Sequence, residues 1–174
     1  NVLFAVIGLL LIHRLGLRMF GRREGFWAAA ILSSSALYMT LARVVVIDML
    51  LTVCVTLALF AFYTGYCDSS RRRTANLCLF VFLALGMLAK GPVGVIIPAG
   101  TILVFLVLRR DLGYVKQLSL AIGLPLFFLL VLPWYILVSL RQPEFFRYFI
   151  FEQNVVGFFQ GTVHHPRAWY MAFP

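Results

Sequence analysis

Long apolar runs alternate with short polar breaks along the whole chain. The runs cover residues 2–12, 25–42, 49–66, 77–108 and 118–140, and another begins at 168–173. Runs of this length and composition predict membrane-crossing helices, each needing about 20 apolar residues to span a core of about 30 Å. The first run has only eleven residues and would span roughly 16 Å, so the chain reads as a fragment that begins inside a helix. The run at 77–108 is too long for one ordinary span and is interrupted by Lys90-Gly91-Pro92. Proline removes a backbone donor and disfavours helix in the residue before it, so two short helices meeting at Lys90 are expected. The second run carries Ser33-Ser34-Ser35 at mid-depth, where small hydroxyl residues allow helices to approach closely.

The breaks carry the charge. One contains Arg14, Arg18, Arg22 and Arg23, with the first helix expected to end at His13-Arg14; others contain Arg71–Arg73, and Arg109, Arg110 and Lys116. The alternate breaks carry fewer: Arg43 in one, Lys90 in the next, then Arg141, Arg147 and Arg167 spread over a longer segment. Basic residues concentrate in the cytoplasmic loops of membrane proteins, and an even number of crossings must separate two cytoplasmic loops. The pattern is self-consistent for about six crossings, the first truncated, within one transmembrane domain over 1–174. It places Arg43, Asp48 and Lys90 on the outer side. The segment 141–169 is then an outer loop, and its stretch PEFFRYFIFEQNVV has an imperfect amphipathic pattern that suits a helix lying in the interface.

Composition agrees. Hydrophobic residues make up 63% of the 174 and charged residues 12%, whereas soluble domains average about 45–50% and 25%. The expected fold class is all-α, a multi-pass transmembrane helical bundle. The net charge of +9 comes from 13 arginines and 2 lysines. Their place at the ends of apolar runs points to membrane orientation and not to nucleic acid. Cys54, Cys67 and Cys78 show no CxxC spacing and read as unpaired residues.

The stretch LARVVVIDMLLT at 41–52 sets Arg43 five residues before Asp48. On one continuous helix they would stand roughly 140° apart, so a turn between two helices is the simpler geometry. Asp48 then reads either as a helix N-cap or as a carboxylate lining an outer polar pocket with Arg43. Lys90 reads as a snorkelling anchor or as a phosphate ligand. Glu152 either decorates the wet edge of its helix or faces that pocket. His164 and His165 form a loop pair; a divalent metal there is the weaker reading, since adjacent residues rarely share one ion and no third ligand is evident. Cationic groups at a bilayer boundary suit the phosphate of a lipid carrier, and an outer carboxylate suits a general base or a group that orients an acceptor hydroxyl.

The order of motifs resembles the polyprenyl-phosphate-sugar glycosyltransferases of the protein-mannosyltransferase and aminoarabinose-transferase type. The matching pieces are LGLRMFGRR at 15–23, Ala42-Arg43 with DMLLT at 48–52, LAKGPVG at 88–94, LPWY at 132–135, FFRYFIFE at 145–152 and HHPRAWY at 164–170. The resemblance implies the GT-C membrane fold, no cofactor, and inverting transfer of a sugar from a polyprenyl-phosphate carrier to a lipid, glycan or protein acceptor. The reaction would take place at the outer face of a bacterial inner membrane, among membrane lipids. It implies a catalytic role for Asp48, a place for Lys90 near the carrier phosphate and a binding role for His164; Arg43, Glu152, His165, Arg167 and Tyr170 are the other candidate binding residues. It also implies that the principal acidic pair lies upstream of Asn1. Gln153 stands where many relatives carry histidine. A transporter would instead place ionisable groups at mid-bilayer on discontinuous helices; a non-catalytic assembly subunit would leave the outer charges without a task.

Overall fold

The computed structural model describes residues 1–43 and 47–142. It consists of α1 (Val2–Met19), α2 (Arg22–Ser34), α3 (Ala36–Arg43), α4 (Asp48–Cys67), α5 (Arg72–Lys90), α6 (Val93–Leu108), a short 3₁₀ helix (Leu112–Gln117) and α7 (Leu120–Arg141). No strand occurs among the described residues. By length and composition α1, α4, α5 and α7 suffice to cross a membrane, and α2 with α3 passes the same test as a pair. Only 16 residues long, α6 is apolar but shorter. The all-α membrane bundle read from the sequence is the fold observed. The interfacial helix expected in 141–169 lies, but for its first two residues, outside the described part.

Two compact units divide the chain, Asn1–Val131 and Leu132–Pro174. In the second, the described residues are the last turns of α7, which expose Trp134, Ile136, Leu137 and Leu140. In the first, α4 is central and packs against α1, α5 and α6. The larger core joins Ala58, Ala61 and Phe62 of α4 to Leu79, Phe80 and Leu83 of α5, Ile102 and Leu106 of α6, and Tyr114 and Leu118 after it. A smaller core gathers Ala5, Tyr38 and Met49, where the Tyr38 hydroxyl donates to the Ala5 carbonyl at 2.8 Å. Exposed Leu, Ile, Val and Phe cover much of the remaining surface, as suits helices solvated by lipid tails.

Two glycine contacts set the hairpins. A Cβ at Gly16 would lie 2.7 Å from the Gly25 Cα, so α1 and α2 touch through their backbones. Gly86 of α5 and Gly94 of α6 meet as closely, and a methyl group at Gly94 would overlap the Gly86 carbonyl. Small residues permit such crossings where side chains would hold helices apart. Between α5 and α6 the chain reverses at Gly91, whose φ of 85° lies in the region that glycine enters without steric penalty. Pro92 then occupies the N-cap position of α6.

Two helix ends differ from the sequence expectation. The first helix continues through His13, Arg14 and Arg18 to Met19. Arginine is a good helix former and its long apolar stem carries the charge outward, so the helix outruns its apolar stretch. The second run is not one helix: α2 and α3 diverge by 65° at Ser35, whose ψ of 122° is extended. The Ser33 and Ser34 hydroxyls bond to the carbonyls of Ala30 and Ile31, at 2.8 and 2.9 Å. Serine hydroxyls compete in this way with the backbone ladder, and sharp bends occur at such positions. The serine triplet breaks a span where close helix packing was expected.

Candidate active site

The helix ends assemble into two polar regions. At one end of the bundle, Arg18 of α1 donates to Thr64 Oγ1 of α4 at 2.7 Å. Arg72 of α5 donates to the Gly65 carbonyl at 3.3 Å and to the Gln117 side chain. Asn76 Nδ2 donates to the Gln117 carbonyl at 2.7 Å. The loops rich in arginine therefore share one end, as their spacing along the chain predicts; this is the basic end below.

Asp48 and Lys90 meet at the other end, where α4 begins and α5 stops. Lys90 Nζ donates to Asp48 Oδ1 in an ion pair across 42 residues of sequence. The pair is partly open: the lysine side chain is 49% exposed and the aspartate 30%. Lys90 is the last residue of α5, and the next amide, that of Gly91, closes the helix on the Met87 carbonyl at 2.8 Å. The Gly86–Gly94 contact fixes the backbone on either side of the break, so Lys90 projects from a rigid corner.

Asp48 does not cap α4. Ile47 holds the N-cap position, no side-chain cap bond forms, and Asp48 is the first helical residue. The aspartate remains in the first turn, where a carboxylate is favoured by the helix dipole, but its side chain is directed at Lys90. Thr52, one turn on, spends its hydroxyl on the Asp48 carbonyl at 2.8 Å. Arg43 ends α3 on the approach to this corner, and it makes no hydrogen bond or ion pair among the described residues. Glu152, His164, His165, Arg167 and Tyr170 lie outside the described residues. Among the described residues no group of three or more His, Cys, Asp and Glu could hold a metal ion.

An ammonium beside a carboxylate at a helix break has defined chemical uses. Lysine is a compact point charge with three donors, suited to a phosphate oxygen. A carboxylate can accept a proton or orient a hydroxyl. The partial exposure leaves both groups accessible to a substrate.

The basic end contains residues that sequence reading did not single out. Asn76 is fully buried and Tyr114 is 3% exposed. The Arg72 guanidinium lies over the Tyr114 ring at 5.4 Å, and burial pushes the Tyr114 hydroxyl above its usual pKa. The one sequence signal was an asparagine just before the apolar run at 77–108. Read alone, it belonged to the preceding polar loop.

The model of the family described as dolichyl-phosphate-mannose-protein mannosyltransferase matches residues 1–137. An undecaprenyl phosphate-α-4-amino-4-deoxy-L-arabinose arabinosyl transferase of Proteus mirabilis is 29% identical over 76% of this chain and 24% of its own length. The transferase of the same name from Edwardsiella ictaluri is 27% identical over 99% of this chain and 32% of its own. The chain thus spans about a quarter to a third of the length of these curated relatives. The crystal structure of ArnT from Cupriavidus metallidurans bound to undecaprenyl phosphate superimposes with a TM-score of 0.80 at 25% identity, over 87% of this chain and 29% of that one. The apo crystal structure of the same protein gives 0.77 at 26% identity, over 86% and 28%.

Proposed function

Because the chain belongs to the dolichyl-phosphate-mannose-protein mannosyltransferase family, we propose that it forms part of a membrane glycosyltransferase. It moves a sugar from a polyprenyl-phosphate carrier to a lipid, glycan or protein acceptor at the outer face of the membrane. The observation that carries this reading is the Asp48–Lys90 pair, set at the end of the bundle opposite the arginine-rich loops. The fold is shared with a structure bound to undecaprenyl phosphate, and the positive-inside rule turns the paired end outward. About six crossings follow if α2 with α3 counts as one and α6 as another.

Each residue has a stated task. Lys90 holds the carrier phosphate and offsets the charge that gathers there as the sugar leaves. Asp48 holds the lysine in place before the carrier arrives, and then faces the acceptor as a carboxylate. Arg43, with no partner among the described residues, adds a second cation for the phosphate. Glu152, His164, His165, Arg167 and Tyr170 complete the binding site on the outer loop. A transporter would draw its ionisable groups to mid-helix, whereas Asp48 and Lys90 stand at helix termini.

The test is sugar transfer by the purified full-length protein from an undecaprenyl-phosphate-linked donor. Lys90→Ala should raise the KM for the donor about 10- to 150-fold, the range for losing a charge-assisted hydrogen bond, and Lys90→Arg should raise it far less. Unchanged donor kinetics in a well-expressed Lys90→Ala protein would reduce the lysine to a membrane anchor.

A further inference from the structure

Lys90 stands at the middle of a closed stretch of chain. Gly86 precedes it by four residues and Gly94 follows it by four, and these two buried glycines meet backbone to backbone. Inside the stretch the Gly91 amide donates to the Met87 carbonyl at 2.8 Å, the Gly94 amide to the Gly91 carbonyl at 3.0 Å, and the Ile96 amide to the Pro92 carbonyl at 2.9 Å. Such a segment has little slack of its own. How closely α5 and α6 approach therefore decides where the lysine stands relative to Asp48 of α4, whose carboxylate accepts from its Nζ.

Deeper in the bundle the same two helices are held together by Leu79, Phe80 and Leu83 of α5 and Ile102 and Leu106 of α6. A side chain that forced the glycines apart would therefore spread the helices at the corner and not at the core. The strictest position is Gly94, where a methyl group would overlap the Gly86 carbonyl. Gly86 is milder: a Cβ there would lie 3.0 Å from the Gly94 carbonyl oxygen. Gly100, also on α6, faces open space, with nothing within 4 Å of an added Cβ. The three glycines form a graded series.

We propose that Gly94, through its contact with Gly86, is a positioning residue for the carrier phosphate, a role that rests on the phosphate-binding task given to Lys90 above. The bare crossing sets the point from which the lysine reaches that phosphate. Small residues at a helix crossing ordinarily serve packing alone. Here the crossing also supports a charge about one helical turn away. Making room for a methyl group at Gly94 parts the backbones by roughly 1 Å, well beyond the spread of charge-assisted N–H···O distances, about 2.7–2.9 Å. A carrier without its phosphate has nothing to lose by the shift.

The test is a double-mutant cycle on the Kd of purified full-length protein for undecaprenyl phosphate, with undecaprenol as the probe that lacks the phosphate. Gly94→Ala should weaken undecaprenyl phosphate binding about tenfold, the lower end of what losing the charge-assisted contact costs, and leave undecaprenol binding unchanged. Gly100→Ala should change neither. In protein already carrying Lys90→Ala, Gly94→Ala should alter the Kd by less than about twofold, because it acts only through the lysine; independent sites would multiply their effects. Multiplied effects overturn the proposal, as does a normal Kd in a folded Gly94→Ala protein. Equal weakening for both probes also overturns it, since that marks a general loss of fold. A Lys90→Ala protein with unchanged affinity defeats the phosphate-binding role of the lysine itself, and the positioning role with it. Should Gly94→Ala fail to fold, Gly86→Ala decides. A smaller weakening that vanishes without the lysine supports the role, and none, or one that persists, overturns it.

Discussion

The two ends of the bundle handle charge in opposite ways. At the basic end, Arg18, Arg72 and Asn76 spend their donors on Thr64, Gly65 and Gln117, stitching α1, α4, α5 and the 3₁₀ helix together. Asn76 is fully buried there, and Phe62, Tyr66, Phe105 and Tyr114 pack edge to face in an aromatic cluster. At the other end a single ion pair among the described residues stands half open to its surroundings. Ion pairs this exposed contribute roughly 0–1 kcal/mol, so Asp48 and Lys90 are not what keeps the bundle folded. The Asn76–Gln117 and Arg72–Gly65 bonds at the basic end are part-buried, and a buried polar group left unsatisfied costs about 1–3 kcal/mol. One end holds the structure and the other keeps its polar groups available.

That division predicts that substitutions at the two ends should fail in different assays. The largest effect is expected from Asp48→Asn. Asparagine preserves shape and helix compatibility but not charge or basicity. Transfer by the full-length protein should fall in kcat by about 10²–10⁴-fold, the usual scale of acid–base contributions, while thermal unfolding stays where it was. Normal transfer by a well-folded variant would remove the carboxylate from the chemistry and erase the contrast.

Asn76→Ala should do the reverse. It deletes the part-buried bond from the buried Asn76 to the Gln117 carbonyl, so stability should fall by about 1–3 kcal/mol. At a temperature where the variant is folded, kcat should match that of the parent. A loss of transfer without a loss of stability would mean that the two ends are coupled.

The smallest effect belongs to Asp68. The Ser70 hydroxyl bonded to its carboxylate, aided by Arg71, holds its pKa below the usual value. A group depressed on folding stabilises the protein above its unfolded pKa and loses that contribution as pH falls through the folded one. Asp68→Asn should therefore leave unfolding at pH 7 nearly unchanged, because the residue lies in an exposed loop. It should flatten a slight decline below about pH 4. An unaltered acid limb in the variant would assign the decline to other carboxylates.

How much of this was legible depended on whether the deciding interaction was local. The start of a helix at Asp48 and the break at Lys90-Gly91-Pro92 were readable, since polar residues and proline interrupt an apolar run regardless of what packs against it. Charge spacing assigned the loops to alternate ends, and the gathering of Arg18, Arg72 and Gln117 at one end agrees. The capping reading of Asp48 failed because a partner 42 residues away competes for the same carboxylate, and no local pattern reveals that partner. Asn76 and its 41-residue reach to Gln117 were hidden for the same reason. The end of α1 and the bend at Ser35 were misjudged on a different ground. Hydropathy locates where lipid ends, not where helical backbone ends, and arginine stems and serine hydroxyls uncouple the two.

The shortness of α6 has a consequence for the bilayer itself. Sixteen residues rise about 24 Å, while the hydrocarbon core is about 30 Å thick, and tilting would only widen the deficit. A helix shorter than the core is accommodated by local thinning of the membrane or by flanking residues that reach outward. Here one flank is the rigid corner of Lys90, Gly91 and Pro92, held by the Gly86–Gly94 contact, so on that side the lipid has to yield. Under the function proposed above, headgroups beside a membrane-crossing α6 would sink toward the lysine and bring a carrier phosphate to its level.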